Sequence, residues 1–230
     1  MPVVSFGVNG SEHPHPQMEP TLLRIAVFDS QSVVHKGLSS LLPGQGHSLV
    51  SQALDGRDAV NIVRESLADL VLTEIHMPHV NGIGVLEQID IANLDIPVLV
   101  YTSDDNPTFV ARAVVHGARD YVLKSATVAK LLLAINNAGR RDAADKTPLF
   151  VTIRNQLQKR DGMQHRTLDL TSREWQVLRH LGLGLSNREI AKFLEISVET
   201  VKEHVQNILR KLNAKDRTAA AVRAVKDGLV

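Results

Sequence analysis

The sequence contains no cysteine. That absence excludes disulfides, a thiolate nucleophile and any zinc or iron–sulfur site with sulfur ligands. Long apolar runs are missing as well. None approaches the roughly 18–20 residues that cross a bilayer, so no membrane partner is expected. The opening MPVVSFGVNGSEHPHPQMEP has neither a basic start nor an apolar stretch of signal length, and the expected location is the cytoplasm. Net charge is also nearly absent, at +1 from 26 basic and 25 acidic side chains. A sum can hide segregation, and it does. Residues 1–138 carry 8 basic and 14 acidic side chains, residues 139–169 carry 7 and 4, and residues 170–230 carry 11 and 7. An acidic N-terminal part of −6 is followed by a basic remainder of +7, which suggests a polyanion partner for the second part. What is present is 43% hydrophobic residues in 230, enough for ordinary cores in two domains.

Residues 1–21, rich in Pro, Gly and His without periodicity, read as a flexible tail. Short apolar runs then alternate with helical patterns. Strands are expected at 24–28, 48–52, 70–73, 97–101 and 121–123, with helices near 31–42, 56–67, 82–90, 106–116 and 127–138. Five strand–helix repeats over 22–138 predict an α/β doubly wound, five-stranded parallel sheet with its site at the carboxyl ends of the strands. Residues 139–168 lose that rhythm and read as a linker with a short ordered piece around 149–153. Residues 169–230 are purely helical, with expected helices near 172–182, 187–194, 198–212 and 217–227. Capping boxes at Thr171/Glu174 and Ser186/Glu189, and a cap at Ser197, mark three of the starts.

The residues that end the strands are Asp29, Glu74, Thr102 with Ser103, and Lys124. Two acids, a hydroxyl and a lysine in one crevice suit a divalent cation or a phosphoryl group, since oxygens hold Mg²⁺ and lysine neutralises phosphate. For any one of them, a merely polar strand end is the competing explanation. LLRIAVFDSQSVVHKGLSSLL, ADLVLTEIHMPHVNGIGVLEQI, IPVLVYTSDD and GARDYVLKS together resemble the receiver domain of two-component response regulators, including the Met-Pro-x-x-x-Gly turn at 77–82. The resemblance implies an acidic Mg²⁺-binding pair after the first strand and a phosphoacceptor aspartate ending the third. It also implies readout by a Thr/Ser, an aromatic and a Lys, which Thr102, Tyr121 and Lys124 match. Two acidic positions depart from that pattern. Ser30 stands in place of the second acid, and Glu74, one methylene or roughly 1.5 Å longer, stands at the phosphoacceptor position. The expectation is an atypical, degenerate receiver that is not phosphorylated, with weak or absent Mg²⁺ binding and no other cofactor. Glu74 pairing with Lys124 would imitate the phosphorylated state. A dimerisation module, or control by a partner or a small metabolite in the phosphate crevice, is the alternative, and conventional phosphorylation a weaker one.

Within 198–212, Val198, Val201, Val205, Ile208 and Leu212 form one apolar stripe, opposite Lys202, Glu203, Gln206 and Arg210. A short helix precedes it across a tight turn, as in a helix-turn-helix; a bundle with a solvated face fits the periodicity equally. The whole stretch from Leu170 resembles the LuxR-type DNA-binding domain, through Leu-Thr-x-Arg-Glu, Gly-x-Ser-Asn-x-Glu-Ile-Ala, Ser-x-x-Thr-Val-Lys-x-His and Lys-Leu-x-x-x-x-Arg-Thr. A receiver followed by this domain is similar to the NarL/FixJ class of response regulators, which implies a transcription factor binding double-stranded DNA as a homodimer on two half-sites. Lys202 and Gln206 are placed to reach base edges, lysine toward guanine and glutamine toward adenine; Glu203 would accept from cytosine N4 or repel phosphate. Arg210, Lys211, Lys192, Arg188 and Thr200 are candidates for phosphate contacts.

Asp29 and Glu74 as a hydrolytic carboxylate pair would make an enzyme, but no nucleophile or metal cluster accompanies them, and no enzymatic activity is expected. His76 and His79 read as a surface pair, and His13 and His15 carry no role. Gly44 and Gly46 lack the rest of a phosphate-loop pattern. Trp175 and Phe193 read as core.

Overall fold

A computed structural model of the chain describes residues 22–140, 146–159, 169–226 and 228. The expected tail with His13 and His15, parts of the expected linker, and residue 227 of the last expected helix lie outside the described residues. Strands β1 (Arg24–Phe28), β2 (Ser48–Ala53), β3 (Leu70–Thr73), β4 (Val98–Thr102) and β5 (Asp120–Leu123) form one parallel sheet in the order β2-β1-β3-β4-β5. The period of two in β1 sends Ile25 and Val27 to one face and Ala26 and Phe28 to the other. All four are buried, because helices cover both sides of a parallel sheet. One side is closed by α1 (Ser32–Leu41) and α5 (Val128–Gly139), through Leu38, Leu131 and Ile135. The other is closed by α2 (Ala59–Ser66), α3 (Gly82–Ile91) and α4 (Pro107–Val115), through Val63, Leu86, Ile89 and Val110. This is the doubly wound arrangement the strand–helix alternation predicts.

The stretch expected as a linker contains a full helix, α6 (Pro148–Gln158), longer than the short ordered piece predicted around 149–153. Its apolar residues Phe150, Ile153 and Leu157 sit at i, i+3 and i+7 and are buried; the sequence marks only the first part, where Leu149–Val151 and Ile153 cluster, because Leu157 stands alone among the polar residues 154–158. Its start is anchored to the sheet. Thr147 donates its N–H and hydroxyl to the Asp120 carboxylate, at 3.0 and 2.8 Å, and its hydroxyl also lies 2.7 Å from the Tyr121 carbonyl.

Helices α7 (Ser172–Gly182), α8 (Asn187–Leu194), α9 (Val198–Leu212) and α10 (Arg217–Lys226) complete the chain. Both capping boxes form, and the Ser197 side chain accepts from the Thr200 N–H at 3.0 Å. The α4 face of the receiver core continues through Phe150 and Ile153 of α6 into Trp175 and Val177 of α7, so one apolar cluster crosses both domains. Phe193, read as core, is only partly buried; its ring lies 5.4 Å from that of His180 at the domain boundary.

Candidate functional site

The crossovers bring the carboxyl ends of β1, β3, β4 and β5 to one edge of the sheet. There Asp29, Glu74, Thr102 and Lys124 converge. Lys124 Nζ lies 2.7 Å from Asp29 Oδ2 and 2.7 Å from Glu74 Oε2. The other Glu74 oxygen, Oε1, accepts from the Ile75 N–H at 2.6 Å, the His76 N–H at 3.1 Å and the Thr102 hydroxyl. Asp29 Oδ1 accepts from the Gln31 N–H at 2.8 Å. Every carboxylate oxygen of the pair is therefore engaged by the protein itself. Asp29, Glu74 and Thr102 are 1%, 4% and 0% exposed, so the crevice is closed by its own side chains.

The local backbone explains how the longer acid fits. Gly82, last residue of the turn that follows β3, passes so close that a Cβ there would lie 2.1 Å from the Glu74 carbonyl oxygen. Only glycine permits that approach of the two main chains, and within this turn the Glu74 side chain folds back onto the two N–H groups that follow it. Burial pushes the Glu74 carboxyl up, but Lys124, the Thr102 hydroxyl and the His76 N–H together hold it below its ordinary value. Burial lowers the Lys124 ammonium, and the two carboxylates outweigh it and raise it. Both shifts state that the ion pair is charged and mutually stabilised.

The remaining predicted residues divide. Tyr121 is 1% exposed and donates its hydroxyl to the Asp104 carbonyl at 2.7 Å. Burial, with Asp104, Glu74 and Asp105 nearby, pushes that phenol well above its ordinary value. Ser30 is exposed and reaches only the His76 carbonyl, at 3.4 Å; Ser103 is exposed beside the crevice. Asp104, which the sequence does not single out, ties the rim together. Its carboxylate lies 2.6 Å from His76 Nε2, and its N–H donates to the Thr102 hydroxyl at 3.2 Å. Its only sequence signal is its place two residues after β4. His76 is thus an exposed partner of Asp104, not of His79.

On the helical domain, α8 and α9 are joined by Glu195 in the left-handed conformation (φ 55°) and Ile196, the tight turn of a helix-turn-helix. Val201, Val205 and Ile208 are buried; Val198 and Leu212, at the ends of the stripe, are only partly so. Lys202, Glu203, Gln206 and Arg210 are exposed together on the opposite face. Lys202 pairs with Glu199 at 3.1 Å and Arg210 with Asn207 at 3.0 Å, loose surface contacts. Arg188 is exposed and Thr200 half-buried at the α9 start. Two of the phosphate-contact candidates are otherwise occupied. Lys211 pairs with the buried Glu174 at 2.8 Å. Lys192 reaches across to the receiver, 2.6 Å from Asp90 and 3.3 Å from His116 Nδ1. Beside it, Glu189 lies 3.0 Å from Arg112 Nε, and its carboxyl falls to about 2 because His116, the Ser186 cap and Arg112 outweigh its burial. Capping boxes announce Glu189 in the sequence, but only as a cap.

A receiver whose neighbour is a helix-turn-helix defines a response regulator of DNA-binding type. Residues 25–136 match the response regulator receiver domain, and residues 168–224 match the bacterial regulatory proteins of the luxR family. The transcriptional regulatory protein LnrK of Bacillus subtilis (strain 168) is 33% identical over 217 residues, covering 90% of this chain and 99% of that protein. The response regulator protein VraR of Staphylococcus aureus (strain NCTC 8325 / PS 47) is 31% identical, covering 90% and 99%. Among solved structures, the response regulator ChrA of a heme-sensing two-component system superposes with a TM-score of 0.50 at 32% identity, covering 91% of this chain and 99% of that one. The chain belongs to the LuxR family of response regulators, which are DNA-binding transcriptional regulators.

Proposed function

We propose that this regulator works without phosphorylation, its receiver held by Glu74 in one state. The observation that carries this reading is the closed ion-pair network Asp29–Lys124–Glu74, with both Glu74 oxygens engaged and the crevice sealed. A phosphoacceptor needs a free carboxylate oxygen facing an incoming phosphoryl group. Mg²⁺ needs several oxygens in near-octahedral order. The residues present do not fit that ion: Asp29 is committed to Lys124 and Gln31, and Ser30 supplies no carboxylate. Glu74 places one negative charge on Lys124 and Thr102, where a phosphoryl group would place about two. The same closure disfavours a metabolite lodged in this crevice.

DNA contact through α9, base readout by Lys202 and Gln206 with Glu203 as a selective element, and phosphate contacts by Arg210, Arg188 and Thr200 complete the proposal. Lys192 and Lys211 join only if their present ion pairs open. Two copies binding two half-sites are supported by Val222 and Val225, exposed at i and i+3 on α10. The role is non-catalytic and belongs in the cytoplasm with the DNA.

Incubation with acetyl phosphate and Mg²⁺, followed by intact mass measurement, tests the receiver. No adduct of a phosphoryl group is expected on the wild-type chain, whereas Glu74→Asp combined with Ser30→Asp should acquire one. A Mg²⁺-dependent adduct on the wild-type receiver would overturn the reading.

A further inference from the structure

Three positive side chains meet where the receiver, the linker helix and the DNA-binding domain touch. Arg119 comes from the turn before β5, Lys146 from just before α6, and Arg154 from the middle of α6. They border a cavity of about 310 Å³ whose apolar wall includes Val114 of α4, Phe150 of α6 and Phe193 of α8. Lys146 Nζ is fixed over this wall, 2.5 Å from the Arg119 carbonyl and 5.1 Å from the centre of the Phe150 ring. None of the three cations has a salt bridge to a carboxylate among the described residues. Among the described residues the acid beside Lys146 is Asp120, which is buried and already accepts from the Tyr121 and Thr147 N–H groups and the Thr147 hydroxyl. Burial, followed by repulsion from Arg154 and Arg119, lowers the Lys146 ammonium, and Asp120 offsets only part of this.

Like charges held together at a half-buried cavity, beside aromatic rings, are costly unless an anion joins them. We propose that this notch binds a small phosphorylated ligand with a flat apolar body, of nucleoside monophosphate type. Arginine forks recognise phosphate oxygens with two parallel N–H donors, and Lys146 adds a point charge. Phe150 and Phe193 offer stacking or edge contact to the ring. The volume lies at the low end of small-ligand pockets, fitting a compact metabolite rather than a macromolecule. Because the walls come from α4, α6 and α8, a bound ligand stabilises the contact of receiver, linker helix and DNA-binding domain by mass action. The site is separate from the Glu74 crevice, and it stands whether or not that crevice accepts a phosphoryl group.

Adenosine monophosphate and inorganic pyrophosphate are the probes, titrated into the full chain by calorimetry and followed by thermal unfolding. Adenosine monophosphate should bind and raise the unfolding temperature. Arg154→Gln and Arg119→Gln should each weaken it by about tenfold or more, the loss expected for one charge-assisted contact. Arg210→Ala, on the DNA-facing helix, should leave it unchanged. Pyrophosphate, lacking the ring, should bind more weakly than adenosine monophosphate. Failure of both probes to bind would overturn the proposal. So would binding that survives Arg119→Gln and Arg154→Gln but disappears in Arg210→Ala, since the probe would then sit on the DNA-binding face.

Discussion

At the scale of single residues, the receiver crevice turns on one lysine shared by two buried acids. Removing Lys124 leaves Asp29 and Glu74 facing each other without compensation, and breaking such a buried pair costs about 3–5 kcal/mol. Lys124→Ala should therefore lower the urea midpoint sharply, while Glu74→Gln, which keeps the Asp29–Lys124 contact, should lower it less. The pH dependence has a fixed sign. The folded value of Glu74 lies below its reference of 4.5, so its contribution is complete above that pH and is lost as the pH falls through the lowered value. Lys124 lies above its reference of 10.5, so its contribution is complete below that pH and lost only as the pH rises through the raised value. Urea midpoints between pH 7 and 3 should fall for the wild type, and Glu74→Gln should remove part of that fall; an unchanged slope in the variant would mean Glu74 is not the group responsible. The identities of Asp29, Glu74, Thr102 and Lys124 are legible in the sequence because strand ends in a parallel sheet share an edge. That Glu74 curls back onto the Ile75 and His76 N–H groups is not legible, because it depends on the conformation of the turn after β3 and on Thr102 and Lys124 arriving from distant strands.

At the scale of elements, the helices with local signals are the ones the sequence places best. Capping residues Thr171, Ser186 and Ser197 fix the starts of α7, α8 and α9, since a side-chain oxygen at the N-cap satisfies an orphan N–H wherever the helix docks. Helix α6 has no capping hydrogen bond of this kind. It forms because tertiary contacts bury Phe150, Ile153 and Leu157, a cause that lies outside its own eleven residues. Helix α9 presents the opposite lesson. Its buried stripe leaves Gln206 fully on the outer face, one turn beyond Lys202. Gln206→Ala should cost about 1–3 kcal/mol on the preferred DNA sequence and relax the preference at one base pair. Binding to a panel of single-base variants checks this; uniform weakening across the panel would place Gln206 on phosphate rather than on a base. Arg210→Ala supplies the contrast, an even loss across sequences and a salt slope smaller by about 1.

At the scale of the whole molecule, the segregated charge seen along the chain acquires a location. The receiver, with 8 basic and 12 acidic side chains over residues 22–138 and so a net of −4, meets the basic domain through Asp90–Lys192 and through Arg112–Glu189, in which the expected signs are exchanged. Lys192 on α8 cannot sit 2.6 Å from Asp90 and neutralise a DNA phosphate at the same time. With Lys192 as a phosphate contact, as proposed above, DNA and receiver would compete for it, and the competition would be reversible, because a partly exposed pair of this kind is worth only about 0.2–1 kcal/mol. Its loss can change DNA affinity by at most about fivefold. Asp90→Ala should raise affinity by up to that factor at low salt and steepen the salt dependence by about one phosphate contact. Lys192→Ala should abolish the gain in the double variant. Titrations at several salt concentrations separate this from a general opening of the domains. Release of Lys192 alone changes the slope by about one contact and the affinity by no more than about fivefold, so a larger change in either would mean that the domains have separated. If Asp90→Ala left both affinity and slope unchanged, the receiver would hold the helix-turn-helix through the shared apolar cluster of α4, α6 and α7, and the charge asymmetry would serve only to steer the chain toward DNA.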